Sequence, residues 1–486
     1  MDSLKNKMVG WNKLIQVAKS GVVQFVVLRY STLAIQFINA LIIAQFLGAY
    51  YFGIYSFVTL VLQYLTYSNL GINYSVNVLL SIKKGNPELT SKLWANSLYI
   101  TFIAGILVVF MGIIGLMFDP PYFQKYEFSR YILPVVFNAI LVNYNGLFVN
   151  SFRIYGKLRE INIYQMLIPL GTLALLPFFK GQLLLDVWIG MNFACNLFSF
   201  LLFVNKAPHS LAHHHNVKIP AILLHKGAHL LLYNMSFYFI TIAARTVISV
   251  GYSVEELGFY SFANAIANAV MTAGGAFVFV FFPKMLNRFH AMTNLETLAF
   301  LKRIRIAYIT VLNLMVLASM VVVPLIAYFI PEMAPAENAI LILLCSQIII
   351  NTNMGNATML IARKQEKYLT PFGFEAILIV VVFGSLLAWM EYNLDFIALV
   401  VLLASAYYTL RVNRYALKFL GLKDDGVKRD LMLYYCLISL IVIGVFFSIS
   451  ALIYISILLY VILKRADIIT AGRESLKLLG GNANQF

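Results

Sequence analysis

Long runs of apolar residues constrain this chain more than any other feature of its sequence. The chain has 486 residues, of which 61% are hydrophobic and only 12% are charged, whereas soluble domains carry about 25% charged residues. A water-soluble core cannot bury so large an apolar share, so the chain must use lipid as its solvent. Because backbone groups in lipid have to pair within their own segment, apolar runs of about 20 residues should cross the bilayer as helices.

The apolar runs predict an all-α polytopic membrane protein with about fourteen transmembrane helices. The predicted spans are 21–47, 52–80, 93–117, 131–152, 161–179, 187–205, 229–250, 257–283, 304–330, 337–361, 369–390, 395–417, 431–447 and 450–463. The last two spans also permit one very long helix. Two separate spans keep Lys464 and Arg465 on the same side as the N-terminus, which the positive-inside rule favours.

Basic residues are sorted strongly in this predicted topology. Of the 36 Lys and Arg residues, Lys125, Arg130 and Lys180 fall on the outer side, Arg29 and Arg245 fall well within spans, and the others lie on the inner side. Carboxylates divide almost evenly, so the sorting concerns basic residues, as the positive-inside rule requires. We therefore expect both termini in the cytoplasm. Basic residues scattered over short loops do not indicate nucleic-acid binding.

Two short patterns recur at nearly equal distances along the chain. Gly-x-Tyr-Ser-Phe occurs at Gly53–Phe57 and Gly258–Phe262, and Asn-x-Asn occurs at Asn143–Asn145 and Asn351–Asn353. The offsets of 205 and 208 residues predict two six-helix lobes related as a parallel repeat, because an even number of spans separates the copies. A duplicated bundle is typical of secondary transporters, whose site lies between the two halves.

The predicted organisation follows from the spans and the repeat. It comprises an amphipathic cytoplasmic N-terminus (1–20), an N-lobe (21–205), a cytoplasmic linker (206–228), a C-lobe (229–417), a helical hairpin (431–463) and a cytoplasmic tail (464–486). The chain carries no Gly-rich phosphate loop, nucleophile elbow or His-Glu-x-x-His motif. We therefore expect no catalytic residues, no cofactor and no metal, and we interpret the histidines at 209 and 213–215 as a solvated part of the linker.

Two arginines inside predicted spans are candidates for binding an anionic substrate group. Arg29 lies in the first span, and Arg245 lies in the seventh, its counterpart in the second lobe. A charged side chain within a span costs roughly 2.5 to 3.5 kcal/mol on insertion scales, so each should face water or a partner. Forked guanidinium donors suit a phosphate or pyrophosphate. The alternatives are that Arg29 pairs with a carbonyl and that Arg245 reaches the outer interface.

Glu375 is the one carboxylate placed well inside a predicted span, and it is a candidate for ion coupling. Removal from water favours the protonated form of a carboxylate, so Glu375 could accept a coupling proton. Alternatively, it forms a salt bridge with an arginine or reaches the inner interface.

Asparagines recur at helical spacing in several spans and should point away from lipid. The candidates are Asn39, Asn69, Asn73, Asn143, Asn145, Asn351 and Asn353. Such polar stripes serve either hydrogen bonding between helices or the wall of a cavity that binds sugar hydroxyls. Both interpretations remain open from the sequence.

The stretch LGAYYFGIYSFVTLVLQYLTYSNLGINYSVNVLLS (Leu47–Ser81), its echo ELGFYSFANAI (Glu256–Ile266) and the six-plus-six layout with two further helices resemble the polysaccharide (O-antigen type) flippases. These belong to the superfamily that also contains multidrug and toxic-compound exporters (MATE) and the lipid II flippase. The resemblance implies a MATE-like fold with V-shaped lobes in the bacterial inner membrane. It also implies a function, which is to move an undecaprenyl-pyrophosphate-linked oligosaccharide to the periplasmic leaflet by alternating access. The expected partners are this lipid, the bilayer and a polysaccharide polymerase complex, with the protein itself a monomer.

Other functions remain open. A drug or cation exporter of the same architecture should have an acidic cavity, whereas the predicted spans hold two arginines and one glutamate. A membrane polysaccharide polymerase or ligase needs an external catalytic surface, and the predicted outer loops are short. A lipid II flippase often carries an acidic residue in its first helix, and this chain has no counterpart there.

Overall fold

The computed structural model describes residues 21–83, 85–207, 218–421 and 427–479, and every regular element within these ranges is helical. The main helices are α1 (Gly21–Thr66), α2 (Ile72–Lys83), α3 (Pro87–Phe118), α4 (Ile132–Ile154), α5 (Leu158–Leu175), α6 (Gly181–Asn205), α7 (Lys218–Gly251), α8 (Val254–Ala291), α9 (Asn294–Ile304), α10 (Thr310–Phe329), α11 (Glu337–Asn351), α12 (Met354–Ala362), α13 (Glu366–Trp389), α14 (Leu394–Leu420), α15 (Val427–Phe446), α16 (Ser450–Leu463) and α17 (Arg465–Leu479). The predicted amphipathic N-terminus (1–20) and the linker histidines lie outside the described residues.

The helices have the lengths and compositions of membrane spans. Within the described ranges, seven helices are long and apolar enough to cross a bilayer, and the two arms of α7, which meet at a bend of 64°, make an eighth. Shorter apolar helices cover Thr310–Ile326, Leu431–Phe446 and Ser450–Leu463. The chain is therefore an all-α polytopic membrane protein, as its sequence predicts. The count of fourteen spans stays a prediction.

Apolar side chains on the outside of α3 are consistent with a lipid environment. Phe102, Phe110 and Met117 are 57%, 60% and 77% exposed. A soluble monomer rarely exposes so continuous an apolar surface, because contact with water opposes it. In lipid this exposure carries no such cost.

The described chain folds into two compact units. The first contains the helix up to Leu47 and residues Phe57–Leu231, and the second contains Gly48–Ser56 and the chain from Leu232 onward. The core of the first unit is aromatic. The ring centroids of Trp94 and Phe148 lie 5.2 Å apart, and those of Phe152 and Phe203 lie 5.0 Å apart.

Within the first unit, the predicted span 52–80 is broken into two helices. A short 3-10 turn (Tyr67–Asn69) follows α1, and Leu70 and Gly71 have φ angles of 52° and 80°. A Cβ atom on Gly71 would lie 2.1 Å from the carbonyl oxygen of Gly227. Gly71 therefore permits both the left-handed backbone and the close approach of α7.

In the second unit, the two copies of the repeated Gly-x-Tyr-Ser-Phe pattern meet. A Cβ atom on Gly53 would lie 2.0 Å from the carbonyl oxygen of Val254, and one on Gly258 would lie 2.6 Å from that of Ala49. The two glycines allow the backbones of α1 and α8 to touch, as small residues do in packed membrane helices. The α1 helix reaches this contact after Gly48, whose φ of 70° and ψ of 171° are not helical.

The same type of turn ends α4 in the first unit and α12 in the second. In the first, the N–H groups of Gly156 and Lys157 donate to the carbonyls of Arg153 (3.2 Å) and Phe152 (2.8 Å). This pair of bonds is a Schellman motif, which requires a left-handed residue after the helix. Gly156 fills that position with a φ of 74°.

In the second unit, the N–H groups of Lys364 and Gln365 donate to the carbonyls of Ile361 (3.0 Å) and Leu360 (2.8 Å). Lys364 takes the left-handed position with a φ of 57°. It lies 208 residues after Gly156, the same offset as the Asn-x-Asn repeat.

Candidate functional site

Arg245 contacts the first copy of the repeated pattern and lies close to the second. Its side chain is only 9% exposed, and its Nη2 donates to the carbonyl oxygen of Ser56 at 2.6 Å. Its charge also acts on the phenol groups of Tyr55 and Tyr260, which occupy equivalent positions in the two copies. In this structure the guanidinium therefore serves a contact inside the second unit. Anion binding by Arg245 stays a prediction, as it does for Arg29 on α1, whose side chain lies outside the described part of the structure.

In the first unit, Asn145 links α4 to α6. Asn145 is fully buried, and its Nδ2 donates to the backbone oxygen and to Oδ1 of Asn196, at 3.0 and 3.3 Å. Asn196 donates in turn to Oδ1 of Asn138 at 2.9 Å. These buried amides form a hydrogen-bonded network that joins the two helices.

Asn69 and Asn143 bind each other at the break between α1 and α2. The Nδ2 of Asn69 donates to Oδ1 of Asn143 at 3.0 Å, and its own Oδ1 accepts the N–H of Gly71 at 2.9 Å. The Nδ2 of Asn143 donates to Oγ of Ser68 at 3.2 Å. The two amides therefore hold the 3-10 turn against α4.

Asn39 and Asn73 contact other helices of the first unit. Asn39 is buried on α1, and its Nδ2 donates to the carbonyl oxygen of Pro169 on α5 at 2.7 Å. The backbone oxygen of Asn73 accepts from Nδ2 of Asn150 at 3.0 Å. The side chain of Asn73 packs over Gly146, where a Cβ atom would lie 2.8 Å from its Nδ2.

In the second unit, Asn351 and Asn353 lie at a break that divides the predicted span 337–361 into α11 and α12. Asn351 donates to Oδ1 of Asn313 on α10 at 3.0 Å, and Asn353 donates to Oγ1 of Thr409 on α14 at 2.8 Å. Asn353 lies 208 residues after Asn145. In each unit, a buried amide of the Asn-x-Asn pattern therefore bonds to a later helix, α6 in the first unit and α14 in the second.

All seven predicted asparagines therefore take part in packing or hydrogen bonding between helices or at helix breaks. Five of them belong to the first unit, and Asn351 and Asn353 belong to the second. Hydrogen bonding between helices was one of the two interpretations of the polar stripes. Their contact with a sugar stays a prediction.

Glu375 forms a three-membered polar cluster on α13 and α14. Its Oε2 accepts from the hydroxyl of Tyr407 at 2.6 Å and from Nη1 of Arg411 at 2.9 Å, and the same Nη1 donates to the Tyr407 hydroxyl at 2.6 Å. The side chains of Glu375 and Arg411 are 39% and 37% exposed. The guanidinium carbon of Arg411 also lies 4.5 Å from the ring centre of Phe372. Glu375 therefore forms a salt bridge, which was one of the alternatives predicted from the sequence. Its role in ion coupling stays a prediction.

Arg411 and Asp395 were not among the residues predicted from the sequence. Arg411 was counted among the inner basic residues, although it lies nine residues before the end of α14. It follows Tyr407 by four residues, so the two share a helix face, and this spacing was the available signal. Asp395, at the start of α14, is buried and accepts from Nδ2 of Asn338 at 3.0 Å.

Several solved transporter structures are similar to this fold. An inward-facing multidrug resistance MATE family transporter of the MOP superfamily gives a TM-score of 0.65 at 13% identity, over 82% of this chain and 98% of that one. The lipid II flippase MurJ, in an inward closed conformation, gives 0.59 at 10% identity, over 92% and 100%. A MOP superfamily transporter from Pyrococcus furiosus gives 0.56 at 15% identity, over 82% and 95%. No protein-family model and no curated protein matches the sequence.

At 10 to 15% identity, this likeness concerns the fold. It extends over nearly the whole of each known structure. It agrees with the expectation, drawn from the resemblance to MATE-like flippases, of a polytopic helical membrane protein. The chain has the fold shared by the MATE transporters and the lipid II flippase MurJ.

Proposed function

We propose that this protein is a flippase that moves a polyprenyl-pyrophosphate-linked oligosaccharide across the bacterial inner membrane by alternating access, for surface polysaccharide assembly. Sugars and pyrophosphate are costly to place in hydrocarbon. A protein that offers amides and guanidinium groups within the membrane lowers that cost, while the lipid tail stays in the bilayer. The fold supports transport in general, since it is shared with multidrug transporters and with a lipid II flippase.

The observation that carries the proposal is the sign of the charges inside the second unit. Arg245 is a buried cation on α7, whereas the carboxylate of Glu375 is neutralised by Arg411 and that of Asp395, at the start of α14, is bound by the side-chain amide of Asn338. A cation exporter needs an acidic site that is free to attract its substrate, because opposite charges attract strongly away from water. The arrangement therefore favours an anionic substrate over a cationic drug.

The test uses the full-length protein in proteoliposomes with a fluorescent undecaprenyl-pyrophosphate oligosaccharide. A membrane-impermeant lectin reports the fraction of probe in the outer leaflet. We expect the wild-type protein to equilibrate the probe between leaflets, Arg245→Ala to abolish this, and Arg245→Lys to retain part of it, because a lysine keeps the charge but loses the forked donor.

The same vesicles, loaded with a cationic dye, provide the opposing measurement. Export of the dye together with no movement of the lipid-linked sugar would establish the exporter function instead. Normal probe movement by Arg245→Ala would remove Arg245 from the proposed site. In cells, cytoplasmic termini are tested by single cysteines at residues 2 and 480 with an impermeant maleimide, which we expect to leave both unlabelled.

A further inference from the structure

A groove runs along α5 within the first unit. It has a volume of about 1110 Å³. Residues of one face of α5 line it, together with Leu28 of α1 and Cys195 of α6. The α5 contributors are Leu158, Arg159, Glu160, Asn162, Ile163, Met166, Leu167, Leu170, Gly171 and Ala174. They recur every three or four residues, as one continuous helix face does, and from Arg159 to Ala174 that face is about 22 Å long at about 1.5 Å per residue.

One end of this α5 groove is basic. The Schellman turn at Gly156 places Lys157 and Arg159 at the start of α5, and both line the groove. The carboxylate of Glu160 is paired with Nζ of Lys206 at 3.3 Å. Among the described residues, no carboxylate pairs with Lys157 or Arg159, and Arg159 is exposed. The mouth of the groove therefore keeps a net positive charge.

The rest of the α5 groove is apolar. Beyond Asn162, the α5 face offers Ile163, Met166, Leu167 and Leu170 in succession. Among the described side chains that line this part, the Cys195 thiol is the only ionisable group. The groove thus combines a cationic mouth with a single hydrocarbon-like strip, which is the pattern of a lipid with one phosphate end and one chain.

We propose that this α5 groove binds a polyprenyl phosphate, with the phosphate at Lys157 and Arg159 and the first part of the isoprenoid chain along α5. The inference rests on the proposed function, because it assigns to a specific surface the lipid carrier that the flippase would handle. Arg159 offers a forked donor to phosphate oxygens, and Nζ of Lys157, which already donates to the carbonyl of Lys206 at 2.7 Å, adds a second cation. A single strip along one helix face suits one chain better than the paired chains of a phospholipid.

The structure provides an internal reporter for this α5 groove. Cys195 lines it, whereas Cys436 lines a separate groove of about 690 Å³ between α14 and α15 in the second unit, together with Arg414. Both thiols are at least partly exposed, and Cys345 is buried. A lipid that occupies the α5 groove should slow the reaction of Cys195 with an apolar maleimide and leave the rate at Cys436 unchanged.

The experiment measures labelling of Cys195 and Cys436 by mass spectrometry on the full-length protein in nanodiscs of neutral lipid, titrated with undecaprenyl phosphate. We expect half-protection of Cys195 to need at least about tenfold more lipid in Arg159→Gln, because losing a hydrogen bond to a charged group removes at least about 1.4 kcal/mol of binding free energy, which is tenfold in affinity. The matched control is Arg414→Gln, an exposed arginine of the second groove, which we expect to leave protection unchanged. Leu167→Trp, which fills the α5 groove, should also weaken protection while keeping the mouth intact.

Four results would overturn the inference. These are protection of Cys436 in place of Cys195, equal protection by undecaprenol without a phosphate, equal protection by phosphatidylglycerol, and protection by inorganic phosphate alone. Protection of Cys436 would mean that the lipid binds the other groove, and protection by undecaprenol would mean that the phosphate is not recognised. Protection by phosphatidylglycerol would mean that the groove binds anionic lipids in general, and protection by inorganic phosphate would mean that the isoprenoid chain is not recognised.

Failure of this inference and failure of the proposed function are distinguishable. Suppose that the wild-type protein moves the lipid-linked sugar in proteoliposomes, but undecaprenyl phosphate protects Cys195 in Arg159→Gln as well as in the wild type. The proposed lipid site in the α5 groove is then wrong, and the flippase function stands. If the wild-type protein does not move the sugar but undecaprenyl phosphate protects Cys195 in an Arg159-dependent way, the groove stands and the flippase function is wrong.

Discussion

The turn after α4 and the turn after α12 have the same backbone and different surroundings. Both are Schellman turns at equivalent points of the repeat, with Gly156 in the left-handed position of the first and Lys364 in that of the second. After the first, Lys157 and Arg159 lie beside the α5 groove. After the second, Gln365 accepts from the hydroxyl of Tyr415 at 3.1 Å, and the rings of Tyr368 and Tyr415 stack at 4.9 Å.

This difference teaches that two turns can share one backbone geometry while the side chains around them differ. Hydrogen bonds of the main chain fix a helix end whatever residues flank it. The side chains beyond the turn then form an open basic surface in one unit and an aromatic contact in the other. Substitutions at equivalent positions should therefore have unequal effects.

The largest expected difference concerns Arg363, which precedes the left-handed residue of the second turn, and Lys157, which follows that of the first. Arg363 donates to the carbonyls of Phe289 (3.1 Å) and Met292 (2.7 Å) at the end of α8, as well as to Asn294 and Thr297. Arg363→Ala should lower the free energy of unfolding by about 2 to 3 kcal/mol, since hydrogen bonds to a charged group are strong and leave acceptors unpaired when lost.

Lys157→Ala should cost less than about 1 kcal/mol, because the Lys157 ammonium makes one bond near the surface. Thermal unfolding of the purified protein in detergent compares the two variants. Equal losses in both would show that the two turns are supported alike.

Substitutions at the two left-handed positions, Gly156 and Lys364, should change the free energy of unfolding in opposite directions. Gly156→Ala places a Cβ atom on a left-handed residue and should destabilise the protein by about 1 to 2 kcal/mol. Lys364→Gly removes the same strain and should stabilise it by roughly 0.5 to 1 kcal/mol. The midpoint of unfolding should therefore fall in the first variant and rise in the second. A fall in both would show that the Lys364 side chain contributes more than its strain costs.

Substitutions of the buried asparagines compare how strongly hydrogen bonds between helices stabilise the two units. Asn145→Leu removes two hydrogen bonds to Asn196, and Asn353→Leu removes one to Thr409. Polar bonds between membrane helices average about 0.6 kcal/mol and reach about 1.7, so we expect the larger loss for Asn145→Leu. The matched double variants, Asn145→Leu with Asn196→Leu and Asn353→Leu with Thr409→Val, isolate each pair. A larger coupling in the second unit would contradict this order.

Glu375 should have the smallest effect on stability. Its salt bridge with Arg411 is more than one third exposed on each side, and exposed pairs are worth at most about 1 kcal/mol before screening. Glu375→Gln should therefore shift unfolding by about 0.5 kcal/mol or less. If Glu375 couples transport to protons, the same variant should flatten the pH dependence of probe movement in vesicles, with Arg411→Gln as the control that removes the partner. Unchanged pH dependence would limit Glu375 to a structural role.

The fold was largely predictable from the sequence, because apolar length and the sorting of basic residues report directly on spans and topology. The repeated Gly-x-Tyr-Ser-Phe pattern was visible, but its physical role was not. Only the structure shows that Gly53 and Gly258 are needed where α1 and α8 touch. The breaks at Tyr67–Asn69 and at Thr352 and Asn353 were also missed, since both lie within apolar runs that a hydropathy argument reads as continuous.

The candidate site was less predictable, because a side chain's partner depends on tertiary contacts. Arg245 was placed within a predicted span, but its contact with Ser56 joins residues 189 positions apart. Lys157 and Arg159 were interpreted only as topology signals. Their position beside an apolar groove depends on α5 packing near Leu28, which no local pattern encodes.

The helix break at Gly48 has a consequence for biosynthesis. Gly53 leaves the ribosome 201 residues ahead of Val254, the residue whose backbone it touches. The nine residues Gly48–Ser56 are therefore made early but cannot complete their contacts until residues of the second half have been inserted. Since a nascent chain folds largely in the order of its synthesis, the contact between Gly53 and Val254 can form only after α8 has been made, later than the contacts within the first unit.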